Sequence, residues 1–193
     1  MSRPLVFFDL ETAGLEPEAE IIQISAQAVT WPCLEDLDEP FNVKIKFDET
    51  RAHPKALEIN HYSAKVWERE AIPMGTALTQ LSMWLCKYAS IEMTSKGGRP
   101  YKLTQMAGYN SENFDSERLQ RAFKTYGIFY PAHYRTLDVL QLVAWDALIE
   151  GLMAPSLKLT DVCERFNLST ENAHDALADV RMTIEVARTL LSY

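Results

Sequence analysis

Three segments near the start of the chain, residues 5–10, 21–29 and 41–47, have the composition and alternation of β-strands. The connections between them are short and contain the breakers Gly14, Pro17 and Pro32. Parallel neighbours need a long crossover, usually a helix, whereas antiparallel neighbours can follow one another through short connections. The sequence therefore predicts a three-stranded antiparallel meander.

The remainder of the chain mixes helical and strand patterns. Helices are predicted over 75–89, 116–126, about fourteen residues ending near Gly151, 157–166 and 173–191, with short strands over 106–109 and 135–137. Residues 95–100 are predicted to form a flexible basic loop. No repeat or linker divides the 193 residues, so we expect one mixed α/β domain over 1–193.

Composition limits the class of protein. Three cysteines without a C-x-x-C spacing argue against a disulfide framework or a zinc site. No apolar run approaches the roughly 20 residues that span a bilayer, and the N-terminal stretch is too short for a signal peptide. A cytoplasmic protein with no membrane partner is expected. The net charge of −8 argues against a duplex-coating protein, but less against an enzyme that holds a few nucleotides.

Two acids follow the first predicted strand at once. Asp9 and Glu11 are two residues apart, so on an extended chain their side chains point to the same face. Two like charges this close repel each other, and a divalent cation is the simplest counter-charge. Carboxylate oxygens favour a hard ion such as Mg²⁺ or Mn²⁺. Taken alone, the pair is a weak signal, and a solvated strand end is the commoner explanation of such a pair.

Two further acidic sites lie at junctions between predicted elements. Asp115 precedes a helix, where an aspartate also serves as an N-cap. His174 and Asp179 lie at the head of the last helix, where an imidazole can cap and an acid is favoured by the helix dipole. Five helical steps turn about 500°, so these two side chains converge only if His174 lies on the loop before the helix.

In this order, the motifs resemble the DEDD exonuclease superfamily, in its histidine-bearing branch. The motifs are Asp-x-Glu-Thr at 9–12, Asn-x3-Phe-Asp at 110–115 and His-x4-Asp at 174–179. The resemblance implies a ribonuclease-H-like fold, a mixed five-stranded sheet with three antiparallel strands first, flanked by helices. It also implies two divalent ions, Mg²⁺ or Mn²⁺, and hydrolysis of DNA or RNA from the 3′ end to nucleoside 5′-monophosphates.

The resemblance assigns roles by position. Asp9, Glu11 and Asp179 would hold one metal ion, while Asp9 and, through water, Asp115 would hold the second. His174 would be the general base, which suits an imidazole because this group ordinarily titrates near neutrality. Four residues would contact the substrate: Thr12, Leu15, Asn110 and Phe114.

Several alternatives stay open. Asp175 is the nearest rival to Asp179 as a ligand, although the His-x4-Asp spacing favours Asp179. Lys96, Arg99 and Lys102 could grip a phosphate backbone or could simply be solvated.

The same scaffold could instead serve a non-catalytic nucleic-acid-binding or polymerase-associated subunit, but such a subunit has no use for acids that repel phosphate. An HD-type phosphohydrolase would need more histidine ligands than this chain offers. The expected partner is nucleic acid with an accessible 3′ end, single-stranded or frayed. The chain could act as a homodimer or beside a polymerase.

Overall fold

The computed structural model describes residues 3–191, so the two residues at each end of the predicted 1–193 domain lie outside the described part. The strands of the described part are β1 Arg3–Thr12, β2 Ile21–Trp31, β3 Phe41–Lys44, β4 Ile91–Thr94, β5 Pro100–Leu103, β6 Met106–Gly108 and β7 Leu137–Asp138. The helices are α1 Pro54–Ile59, α2 Ala64–Glu70, α3 Met74–Cys86, α4 Asp115–Tyr126, α5 Val139–Ile149, α6 Leu159–Arg165 and α7 Ala176–Leu191.

Five of the strands form one mixed sheet in the order β3-β2-β1-β6-β7. β1 pairs antiparallel with β2, and β2 pairs antiparallel with β3, whereas β6 and β7 join in parallel. The predicted meander and the mixed five-stranded sheet flanked by helices are therefore confirmed.

Alternate residues of β1 enter two separate cores, because successive strand side chains point to opposite faces. Val6 and Phe8 pack in the cluster that contains residues of α3 and α4. Leu5 and Phe7 pack in the cluster that contains residues of α5, α6 and α7. The odd-numbered residues of β1 therefore face α7. This alternation decides where the acids later in the same strand point.

Some predicted boundaries were wrong. The predicted strand 41–47 ends at Lys44, after which Ile45 makes only an isolated bridge to Ile72. The loop predicted over 95–100 is the turn of the antiparallel hairpin β4–β5, in which the Ser95 amide donates to the Arg99 carbonyl at 2.9 Å, but Pro100 already belongs to β5. The strand predicted over 135–137 forms at Leu137–Asp138 instead.

Helices α1 and α2 were not predicted. They contain only 6 and 7 residues, so neither spans enough turns to show a clear apolar period. The Trp67 side chain of α2 is buried beside Ile22 and Ala13 in a third small cluster. Among residues 3–191, no helix combines the length and apolarity needed to cross a bilayer.

Candidate active site

The carboxylates of β1 meet one from α7. Asp9 and Glu11 share the face of β1 that carries Leu5 and Phe7, and α7 covers this face. Ligand oxygens of Asp9, Glu11 and Asp179 all lie within 4.8 Å of one another. Glu11 is buried, while Asp9 and Asp179 are half-buried. Residues 170 positions apart in sequence thus form one acidic cluster, which we call the carboxylate cluster.

Asp115 approaches the carboxylate cluster from the start of α4. It is the first residue of that helix and is buried, while Phe114 occupies the N-cap position, so Asp115 is not the cap. A tight turn brings it there. A Cβ on Gly108 would lie 2.5 Å from the Ser111 hydroxyl and 3.0 Å from the Phe8 carbonyl, so only glycine lets β6 lie this close to both.

His174 lies on the loop that enters α7, which is the placement that convergence with Asp179 requires. Its φ of +69° turns the chain, and its backbone N–H donates to the Asp179 carboxylate at 3.1 Å. Asp175 is occupied differently. Its carboxylate accepts from the backbone N–H groups of Leu177 at 3.1 Å and Ala178 at 3.2 Å, which caps α7. Asp179 therefore belongs to the carboxylate cluster, while Asp175 serves as a helix cap.

Burial and mutual repulsion raise the pKa values of these acids. Burial, followed by the charges of Asp115, Glu11 and Asp179, holds the pKa of Asp9 well above its usual range. Burial and the Asp179 charge raise the pKa of Glu11 to about 9. Burial raises the pKa of Asp115 to about 8, although the Arg118 charge opposes this.

None of the ion pairs within residues 3–191 involves Asp9, Glu11 or Asp179. When acids converge in a partly buried site without a cationic side chain, their ionised forms are unfavourable unless another positive charge binds there. Their oxygen atoms are the donors that hard divalent cations prefer. The donor set therefore fits divalent metal ions.

We expect Mg²⁺ to stabilise the folded protein more at pH 8 than at pH 5.5. Between about pH 4.5 and 9, folded Glu11 holds a proton that the unfolded chain has lost, so metal-free stability falls as pH rises. Metal ions compete with those protons, so their binding tightens over the same interval. A Mg²⁺ concentration of about 1,000 times the Kd stabilises the folded protein by about 4 kcal/mol. For a chain of this length, that raises the melting temperature by roughly 8–16 °C.

Thermal unfolding with Mg²⁺ or chelator, at matched ionic strength, measures this shift across the pH series. Equal Mg²⁺-induced shifts at pH 5.5 and pH 8 would contradict the interpretation of the cluster as a proton-competitive metal site.

Two depressions meet at His174. The first, which we call the main cleft, has a volume of about 880 Å³ and runs between residues 13–20 and α1. Thr12, Leu15 and Phe114 line it, and the Leu15 side chain is 83% exposed. The second depression, about 710 Å³, contains Asn110 together with Asp9 and Asp179. The predicted substrate residues are therefore divided between two sides of one site.

Three supporting residues were given no role by sequence reasoning. Asn60 donates to the Thr12 carbonyl at 3.0 Å, and the His61 ring lies 3.2 Å from the Ala173 carbonyl, next to His174. The third, Arg118, is a buried cation on α4. Asn60 and His61 follow a short helix, at a turn where His61 has a φ of +50°, so no periodic pattern could indicate them. For Arg118, the available signal was a cation beside the apolar face of α4.

The hairpin that carries Lys96, Arg99 and Lys102 connects to the sheet at the end away from the acids. The hairpin β4–β5 enters β6 at its N-terminal end, which lies beside Val6 of β1. Asp9 and Glu11 lie further along β1, toward its C-terminal end. The hairpin is therefore joined to the end of β6 that is opposite to the acids, and the Lys102 ammonium is 3.6 Å from the Glu92 carboxylate.

The sequence is similar to an exonuclease family and to one plant protein over part of its length. Residues 99–187 match the RNase_T family model, described as Exonuclease. This region contains Asp115, His174 and Asp179, and it begins after Asp9 and Glu11. Protein NEN3 of Arabidopsis thaliana is 34% identical over 82 residues, which are 42% of this chain and 15% of NEN3.

Solved structures match nearly the whole chain. E. coli exonuclease I in complex with a dT13 oligonucleotide gives a TM-score of 0.76 at 20% identity, over 97% of this chain and 40% of that one. Exonuclease I from Methylocaldum szegediense gives 0.76 at 23% identity, over 96% and 40%. The chain thus spans less than half the length of these relatives. Its fold is that of exonuclease I, and residues 99–187 match an exonuclease family, which agrees with the resemblance drawn from the motifs.

Proposed function

We propose that this chain is a single-domain, metal-dependent 3′→5′ exonuclease of the histidine-bearing branch, which releases nucleoside 5′-monophosphates from DNA or RNA. The observation that carries the proposal is the approach of Asp9, Glu11 and Asp179 to within 4.8 Å of one another, with His174 at the edge of both depressions. The exonuclease match over residues 99–187 supports the same class of reaction.

The acids suit a site for two divalent ions. Asp9, Glu11 and Asp179 would hold one, and Asp9 with Asp115 would hold the other, with Mg²⁺ or Mn²⁺ favoured by the all-oxygen donors. Bound ions would neutralise the phosphodiester and stabilise the charge that develops on the attacking and leaving oxygens. Four acids supply the negative charge that two dications need.

The protein side chains would divide the remaining work. The His174 imidazole is exposed at the junction of the main cleft and the second depression, where it can take a proton from the attacking water. Its backbone hydrogen bond to Asp179 fixes the loop that presents it. In the main cleft, Leu15 and Phe114 offer apolar surface to the terminal nucleoside. Thr12 lies beside Glu11, where the terminal 3′-hydroxyl would bind.

Labelled oligonucleotides test the direction of hydrolysis. With Mg²⁺, a 5′-labelled single strand should give a ladder of steadily shorter products, while a 3′-label should leave at once as a mononucleotide. Chelator should stop both, and a blunt duplex should react more slowly, because its last pair must separate first. Early release of the 5′-label as a mononucleotide would overturn the proposed direction. DNA and RNA strands compared in the same assay identify the preferred sugar.

A further inference from the structure

Arg118 lies behind the main cleft and contacts both of its walls. On one side its guanidinium donates to the Leu15 carbonyl at 2.7 Å and to the Glu16 carbonyl at 3.0 Å. On the other side it donates to the Phe114 carbonyl at 3.2 Å and lies 3.5 Å from the centroid of the Phe114 ring. One side chain therefore joins two segments that are about 100 positions apart in sequence.

This arrangement is unusual for a buried cation. Arg118 is only 7% exposed, and its Nε makes no hydrogen bond within the described residues. A buried charge is normally paired with an opposite charge, because desolvation is costly. Here the hydrogen bonds go instead to backbone carbonyls, and the nearby Asp115 acts on Arg118 through its charge. The planar guanidinium suits this task, because its fixed donors can bridge several carbonyls at once.

The contacts of Arg118 fix the backbone of the loop that carries Leu15, whose side chain is largely exposed to solvent. Leu15 is 83% exposed, so packing does not determine where it lies. Its carbonyl and that of Glu16 point to Arg118, and the next carbonyl, Pro17, accepts from Arg121. Three successive carbonyls of this loop are thus held by α4, the helix that also carries Phe114 at its N-cap. The spacing between Leu15 and Phe114 therefore depends on Arg118.

We propose that Arg118 is a positioning residue that holds Leu15 and Phe114 as the two sides of an apolar clamp for a nucleobase. The inference rests on the proposed function, since the clamped group would be the terminal nucleoside of the substrate. Leu15 and Phe114 offer the base apolar side chains without hydrogen-bonding groups, so the clamp accepts any base. Its contribution is to nucleotide affinity and not to metal binding.

Replacement of Arg118 tests the clamp. In Arg118→Met we expect the affinity for AMP and dAMP, measured by calorimetry with Mg²⁺, to fall about tenfold, because the two walls are no longer held in place before the nucleotide binds and must be ordered by it. KM for a single-stranded oligonucleotide should rise by a similar factor, with kcat changed less than about threefold. Arg118→Lys should recover little, because an ammonium cannot bridge the same carbonyls. Mg²⁺-induced thermal stabilisation should persist in both variants.

Lys124→Met is the matched control, since it removes a cation from the exposed last turn of the same helix and should leave nucleotide affinity unchanged. A folded Arg118→Met protein with nucleotide affinity and KM within twofold of wild type would overturn the clamp. If Arg118→Met lost AMP binding but the wild type hydrolysed no oligonucleotide, the clamp proposal would stand and the exonuclease proposal would be rejected.

Hydrogen exchange in the wild type keeps the proposal testable if the variants do not fold. Bound AMP should slow exchange at residues 14–18 and 114–118 together, because both walls would close on one ligand. Slowing confined to one of these segments, or no slowing at saturating AMP, would refute the clamp.

Discussion

Asp9→Asn should abolish hydrolysis and, at the same time, stabilise the metal-free protein. The asparagine amide is a poorer metal ligand than a carboxylate. Bound cations stabilise the transition state by several kcal/mol, so their loss would lower kcat by at least about 10³-fold. The same change removes a carboxyl group whose ionisation is disfavoured in the folded protein by desolvation and by the nearby Asp115, Glu11 and Asp179, a cost that an amide does not carry. We expect the metal-free melting temperature at pH 8 to rise by roughly 2–8 °C, or about 1–2 kcal/mol. Mg²⁺ should no longer raise it.

Asp175→Asn is the matched control, because asparagine caps helices as well as aspartate does. Asp175 accepts backbone hydrogen bonds at the start of α7. This variant should therefore retain activity within a few-fold and should keep its response to Mg²⁺. Full activity in Asp9→Asn, or loss of the Mg²⁺ response in Asp175→Asn alone, would show that the ligands have been assigned to the wrong acids.

His174→Ala should slow hydrolysis by roughly 10²–10⁴-fold while Mg²⁺ binding stays intact. That factor is the usual contribution of a positioned general base. His174 is not part of the carboxylate cluster, and it contacts Asp179 through its backbone N–H, which alanine retains. Single-turnover rates measure the chemical step, and calorimetry measures the metal. A steep rise of the rate with pH, as hydroxide replaces the missing base, should accompany the loss.

His133→Ala provides the comparison, since it removes an imidazole whose Nδ1 accepts from the Arg135 amide in a different part of the chain. Its rate should match the wild type. If His174→Ala instead abolished Mg²⁺ binding, the imidazole would be a metal ligand, and the HD-type alternative would return.

The three antiparallel strands followed from local patterns, whereas the mixed five-stranded sheet was expected only from the family resemblance. An apolar run indicated β1, a second run rich in apolar residues indicated β2, and period-two alternation over 41–47 indicated β3, although that strand ends at Lys44. Short elements gave no such signal. Helices α1 and α2 and the hairpin β4–β5 contain 4 to 7 residues each, too few to distinguish a period from chance.

The sequence by itself determined which acids and which histidine occur in the motifs, and that Asp9 and Glu11 share a face. Only the tertiary structure decided that α7 covers that face, that Asp175 is a helix cap while Asp179 joins the cluster, and that Arg118 connects Leu15 with Phe114. The physical reason is that periodicity reports the side of its own element on which a residue lies. Which other element packs there depends on contacts between residues about 100 or more positions apart.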